Sequence, residues 1–133
     1  MIVDSSAILA ILQLESEAIS FATAISLASE RNISAVSVLE AGIVAVKRRG
    51  ARGARDVDEL IATTALQVVP FDGHQVSIAI AAFERYGKGR HPARLNFGDC
   101  AAYALAATRK QPLLFKGSEF VLTDVTPAMQ PSA

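Results

Sequence analysis

Short aliphatic runs at Ile2–Val3, Ile33–Val36, Val68–Phe71 and Leu113–Phe115 are separated from one another by segments of helix length. This alternation constrains the chain more than any other feature. Strands covered on both faces read as continuous apolar runs, and β-α-β alternation implies a mostly parallel sheet between layers of helices. A fifth strand is expected at Val121–Thr123, after a turn at Gly117. The intervening helices are expected from a Ser5 or Ser6 cap to Leu12, from about Glu17 to Glu30 with Asn32 closing it, and from Ser37 to about Arg49. Others follow from Asp56 to Leu66, from Asp72 to Tyr86 and from near Gly98 to about Arg109. The Gly-containing stretch 49–53 and the segment 87–96 read as breaks; the latter holds two Gly, one Pro and four basic or His residues.

A chain of 133 residues that is 51% hydrophobic suits one domain around one core, covering 1–133, with about 127–133 expected to fray. Thirteen basic and thirteen acidic residues cancel, so any site for a polyanion must be local. Cys100 is the only cysteine, which excludes an intramolecular disulfide, argues against zinc and favours a reducing compartment. No basic leader precedes Asp4, and the apolar stretch 7–12 is far shorter than the roughly 20 residues of a bilayer span. A soluble, cytoplasmic protein with no membrane association is expected.

Four carboxylates stand near the ends of the strand-like runs: Asp4, Glu40, Asp99 and Glu119. In an open α/β sheet, ligands bind in the crevice outside the carboxyl ends of the strands, so these four are expected to converge. Each also has an ordinary role. Asp4 can end a strand, Ser37-Val38-Leu39-Glu40 has the form of a capping box, and Asp99 suits the first turn of a helix by about 0.3–1 kcal/mol. Glu119 and Asp124 can be solvated turn residues. Against those readings, Glu40 is flanked by Val38, Leu39, Ile43 and Val44, and Asp99 heads a helix that is apolar almost all round over 101–107. An unpaired carboxylate in such surroundings is costly. Clustered carboxylates repel and raise a pKa unless a cation compensates, and an all-oxygen donor set suits Mg²⁺ or Mn²⁺.

Asp4-Ser5-Ser6-Ala7, Glu40, the segment Asn96-Phe97-Gly98-Asp99-Cys100-Ala101-Ala102-Tyr103-Ala104-Leu105-Ala106 and the segment from Leu113 through Gly117-Ser118-Glu119-Phe120 to Val125 together resemble the PIN-domain family. More narrowly they resemble its VapC-type toxin ribonucleases, over nearly the full length. The resemblance implies a three-layer α/β/α domain with a parallel five-stranded sheet and an Mg²⁺- or Mn²⁺-dependent endoribonuclease that uses water as nucleophile. It also implies neutralisation by a VapB-type antitoxin, and a homodimer. By motif match, Asp4, Glu40 and Asp99 take the family's first three acidic positions, and Ser6 its small hydroxyl near the metal. Asn96 and Thr123 are carried over as supporting residues. Many relatives of this type carry Asp where this chain has Glu119, so the fourth position falls to Glu119, with Asp124 as the backup candidate.

For RNA, the loop residues Lys88, Arg90 and Arg94 are the first candidates, and Lys47, Arg48, Arg49, Arg52 and Arg55 form a second cluster whose ordinary role is a solvated helix end. Two other functions compete. In a receiver-like signalling module, Asp4, Asp72 and Lys116 would form the phosphoacceptor site; in a non-cleaving PIN-like module, the acids would bind without cutting.

Overall fold

The computed structural model describes residues 1–130. Four strands, β1 (Ile2–Val3), β2 (Asn32–Ser34), β3 (Gln67–Val69) and β4 (Leu113–Leu114), form one parallel sheet in the order β3-β2-β1-β4. Six helices accompany them: α1 (Ser5–Leu12), α2 (Ala18–Leu27), α3 (Ala35–Arg49), α4 (Ala51–Thr63), α5 (Gly73–Tyr86) and α6 (Phe97–Arg109). The pleat explains the layering. Ile2 and Leu113, which are register partners, enter a core with Tyr86, Leu95 and Leu105 from the α5–α6 side. Their neighbours Val3 and Leu114 enter a second core with Ile8, Phe21, Ile25 and Val57 from α1, α2 and α4. β1 and β4, buried on both faces, therefore carry no polar alternation.

The sheet order reverses at β1: the chain moves from β1 to β2 and β3 on one side, and returns to β4 on the other. Asp4 follows β1 at this switch point, where a crevice opens at the carboxyl ends of the strands.

The sheet has four strands rather than the expected five. Phe120–Leu122 forms a 3₁₀ turn that buries Phe120, while Val121 and Leu122 stay about half exposed. The outer edge of β4 is instead taken by the tail. Leu113 N donates to Thr126 O (2.9 Å), and Ala128 N donates to Leu113 O (2.8 Å). The start of the segment expected to fray is thus paired through Ala128, with Ala128 and Met129 packed on the core; residues 131–133 lie outside the described residues.

Several boundaries also move. Asp4 itself caps α1, accepting from Ser6 N, in place of Ser5 or Ser6. Asn32 begins β2 rather than closing α2, and its Nδ2 donates to Gln111 Oε1 (3.2 Å). Ser34 caps α3 by accepting from Val36 N (3.2 Å), so the helix starts before Ser37 and the expected Ser37–Glu40 capping box is not formed. The α3–α4 break is Gly50 alone, at φ 63°, and α4 begins at Ala51 instead of Asp56. That sharp corner lets the two helices meet very closely: a Cβ at Gly53 would fall 2.1 Å from Ala45 O.

Gly53→Ala is therefore expected to lower the thermal unfolding midpoint, through a loss on the order of 1–3 kcal/mol from overpacking. An unchanged midpoint in a circular dichroism melt would contradict the close α3–α4 contact.

Candidate active site

Asp4 is 3% exposed, the most buried carboxylate of the site. Its Oδ2 accepts from Ser6 Oγ (2.6 Å) and Ser6 N (3.1 Å), whereas Oδ1 is buried with no partner. Ser6 Oγ also accepts from Lys116 N (2.9 Å), tying the end of β4 to the start of α1. Glu40, in the second turn of α3, is held from both sides. Its Oε1 accepts from Ser5 Oγ (2.5 Å), and its carboxylate lies flush on α6 at Gly98, where a Cβ would fall 2.1 Å from Oε2. Only glycine leaves room there for the acid.

Asp99 occupies the third position of α6. Its Oδ2 accepts from Asn96 N (3.0 Å) while Asp99 N donates to Asn96 Oδ1 (2.9 Å), a reciprocal capping box that satisfies two otherwise orphaned donors. Glu119 lies on the exposed rim and folds back over Gly117, which adopts φ 108°. Exposure thus increases from Asp4, which is buried, through Glu40 and Asp99, which are half-buried, to Glu119, which is exposed.

The electrostatics tie them together. Burial pushes the Asp4 carboxyl up to about 6, against the Ser6 hydrogen bonds that favour its charge, and the Glu40 charge adds to the rise. Burial likewise raises Asp99 to about 7, with further pressure from Asp4, Glu119 and Glu40. Burial next to Asp99 also raises the Cys100 thiol to about 11, which keeps it a protonated core residue.

Among the described residues, no three Asp, Glu, His or Cys side chains already close around one point. Mg²⁺ does not need such a cage, since it keeps several waters and takes one or two carboxylates. The donor set fits an ion of this kind: oxygen only, mutually repelling, and containing a buried Oδ1 of Asp4 without a hydrogen bond.

Other expected residues go elsewhere. Asp124 accepts from Tyr103 Oη (2.6 Å) and lies 3.7 Å from Arg85, so it serves the α5–α6 face rather than the acidic pocket. Thr123 Oγ1 donates to Phe120 O (2.7 Å) and stays within its own turn. Asn96 supports the site through its cap on Asp99. Lys88, Arg90 and Arg94 are exposed on the loop leading into α6, with Arg90 Nε donating to Glu84 O (3.1 Å). In the second cluster, Lys47, Arg48 and Arg55 are exposed, whereas Arg49 and Arg52 face Asp56 at 2.9 and 4.0 Å. The receiver-like site is not assembled. Asp72 caps α5 through Gln75 N (2.9 Å), and Lys116 Nζ is paired with Glu15 and Glu17. Ser5 and Gly98, which place Glu40, do not stand out in the sequence as site residues; Gly98 carries a signal only as the small residue between Phe97 and Asp99.

The PIN domain family profile matches residues 1–125. The chain is 47% identical over 130 residues to Ribonuclease VapC28 of Mycobacterium tuberculosis, covering 97% of this chain and 98% of that one. The chain belongs to the PIN domain family, among its VapC ribonucleases. It is also 45% identical over 125 residues to Ribonuclease VapC of Mycolicibacterium smegmatis, covering 94% and 97% of the two chains. The fold agrees with that of M. tuberculosis VapC20, a sarcin-ricin loop cleaving toxin, at a TM-score of 0.74 and 16% identity over 94% of this chain and 95% of that one. A toxin–antitoxin complex from Klebsiella pneumoniae matches at 0.69 and 14% identity, covering 92% of each chain. Among the described residues of this VapC-family chain, no helix is long and apolar enough to cross a membrane.

The raised carboxyls set a pH dependence in metal-free protein. A carboxyl whose folded pKa lies above its unfolded value stabilises the fold fully below the unfolded value, and that contribution is lost as pH rises through the folded value. For Asp4 and Asp99 the window runs from about 4 to about 7. In chelator, the melting temperature is expected to fall across this window, Asp4 alone contributing a loss on the order of 3 kcal/mol. Asp4→Asn is expected to flatten the slope, and an unflattened slope would contradict the burial of a titrating Asp4.

Proposed function

We propose that this VapC ribonuclease is an Mg²⁺- or Mn²⁺-dependent endoribonuclease toxin of the cytoplasm, neutralised by a VapB-type antitoxin. The observation that carries the metal reading is the buried Asp4 carboxylate, whose Oδ1 has no partner although Glu40 and Asp99 are close enough to raise its cost of ionisation or share in it. Asp4, Asp99 and Glu119 would hold the ion. When bound, the ion supplies a Lewis acid for the scissile phosphodiester and makes a water easier to deprotonate.

The chain's own residues do the rest. Ser6 fixes the orientation of Asp4 by bonding Oδ2 and leaving Oδ1 free. Ser5 and Gly98 hold Glu40 in one place, which suits it to orient the attacking water and accept its proton. Glu119, on the exposed rim, completes the acidic set nearest to solvent. Lys88, Arg90 and Arg94 pair with phosphates on the approach to α6, with Lys47, Arg48 and Arg55 as a more distant contact.

Partners are part of the same proposal. The antitoxin reading is supported by the toxin–antitoxin complex whose fold this chain shares. Exposed apolar side chains supply surface for it and for a homodimer: Leu14 just after α1, Ile19 on α2, and Val76, Ile80 and Phe83 along α5. Phe21 and Ile25, by contrast, are core residues.

Cleavage of a mixed RNA pool with Mn²⁺ tests the proposal. Asp99→Asn is expected to reduce the rate on the order of 100-fold or more, and chelator to abolish it. Asp72→Asn, which retains a capping side chain on α5, is expected to cleave normally. Cleavage that survives chelator, or that depends on Asp72 and not Asp99, would contradict the proposal.

A further inference from the structure

Phe97 is 82% exposed, although it is the first residue of α6 and sits between the cap Asn96 and the Gly98 that carries Glu40. A scattered exposed apolar residue needs no explanation, but the position of this one is not neutral. Its Cα is within about 7 Å of that of Asp99, the reach of two residues. The reciprocal Asn96–Asp99 cap fixes the backbone on either side of it, so the ring is displayed from a rigid base.

The approach to Phe97 is positively charged and equally fixed. Lys88 N donates to Leu95 O (2.9 Å), Leu95 N donates to Tyr86 O (3.0 Å), and His91 packs edge-on to Tyr86 at 5.1 Å. This pins the loop while Lys88, Arg90 and Arg94 remain exposed. An exposed aromatic ring at the end of a cationic loop, two residues along the chain from Asp99, matches a polymer whose phosphates are anionic and whose bases present π-faces.

We propose that Phe97 is the platform on which a base flanking the scissile phosphate stacks, a contact that rests on the ribonuclease reading of the acidic site. It holds the strand so that the phosphate lies over Asp4, Glu40 and Asp99. Because each base has a π-face, the contact does not choose among the four letters. It chooses an unpaired nucleotide over a paired one, since a base inside a duplex has both faces covered by its neighbours.

The chain contains no Trp, so Phe97→Trp introduces a single tryptophan at the platform, excited selectively over the two Tyr. In an Asp99→Asn background, to prevent turnover, the probe is a short mixed-sequence unpaired RNA, compared with the same strand annealed to its complement. Unpaired RNA is expected to quench the indole emission of the F97W protein and the duplex to quench it far less. F97A is expected to bind unpaired RNA about 5- to 150-fold more weakly, the range for loss of one stacking aromatic, with an unchanged melting temperature. With Asp99 intact, F97W keeps an aromatic face and is expected to rescue the cleavage that F97A loses. Unaltered binding and cleavage by F97A, or emission blind to RNA, would overturn the platform while leaving the ribonuclease reading intact. A loss of self-association in F97A with RNA affinity unchanged would also overturn it, assigning Phe97 to contact with a second copy. If the parent chain neither binds nor cleaves RNA, the ribonuclease reading itself fails and the platform with it.

Discussion

Asp4 sits at the end of the central strand with one oxygen satisfied and the other buried without a hydrogen bond, and the surrounding architecture is organised about that carboxylate. Its backbone N donates to Leu114 O (2.9 Å), which locks β1 to β4. Ser6 grips its Oδ2 and accepts from Lys116 N, so the same carboxylate also fixes the segment leading to Glu119. Ser5 reaches across to Glu40 and fixes α3. Three consecutive residues thereby join β1, β4, α1 and α3 at one point, which explains how two-residue strands can define a crevice accurately.

The second constraint comes from α6. Gly98 removes the side chain that would otherwise occupy the place of the Glu40 carboxylate, and the Asn96–Asp99 cap sets the direction in which Asp99 emerges. Behind this head the helix is lined with Ala101, Ala102, Ala104 and Ala106, all buried, which lets it lie close to the sheet. Packing energy from an apolar helix thus holds a carboxylate where burial raises its pKa. Burial and the neighbouring carboxylates therefore favour either a proton on Asp4 and Asp99 or a cation beside them.

Much of this was legible in the sequence because the strands are buried on both faces and the acids follow them directly. Ile2–Val3 and Leu113–Phe115 read as strands, the latter ending one residue earlier in the structure, and Asp4, Glu40 and Asp99 read as one group despite their separation. The expected strand at 121–123 failed for a physical reason: its residues are apolar or β-branched as strand residues are, yet only the preceding Phe120 finds the core, and the tail from Thr126 takes the strand edge instead. The Ser37–Glu40 box failed because Ser34, an equally good cap, stands one turn earlier and ends β2. Asp124 could not be separated from Glu119 by spacing alone. The separation comes from Tyr103 and Arg85, partners supplied by tertiary contact between α5, α6 and the tail.

The most direct measurement is a crystal structure of this chain soaked in Mn²⁺, read from the anomalous difference map at the carboxyl ends of β1 and β4. A peak about 2 Å from Asp4 Oδ1, shared with Asp99 or Glu119, is the predicted result. Ordered Mn²⁺ bound only elsewhere, with Asp4 Oδ1 still without a ligand, would contradict the account.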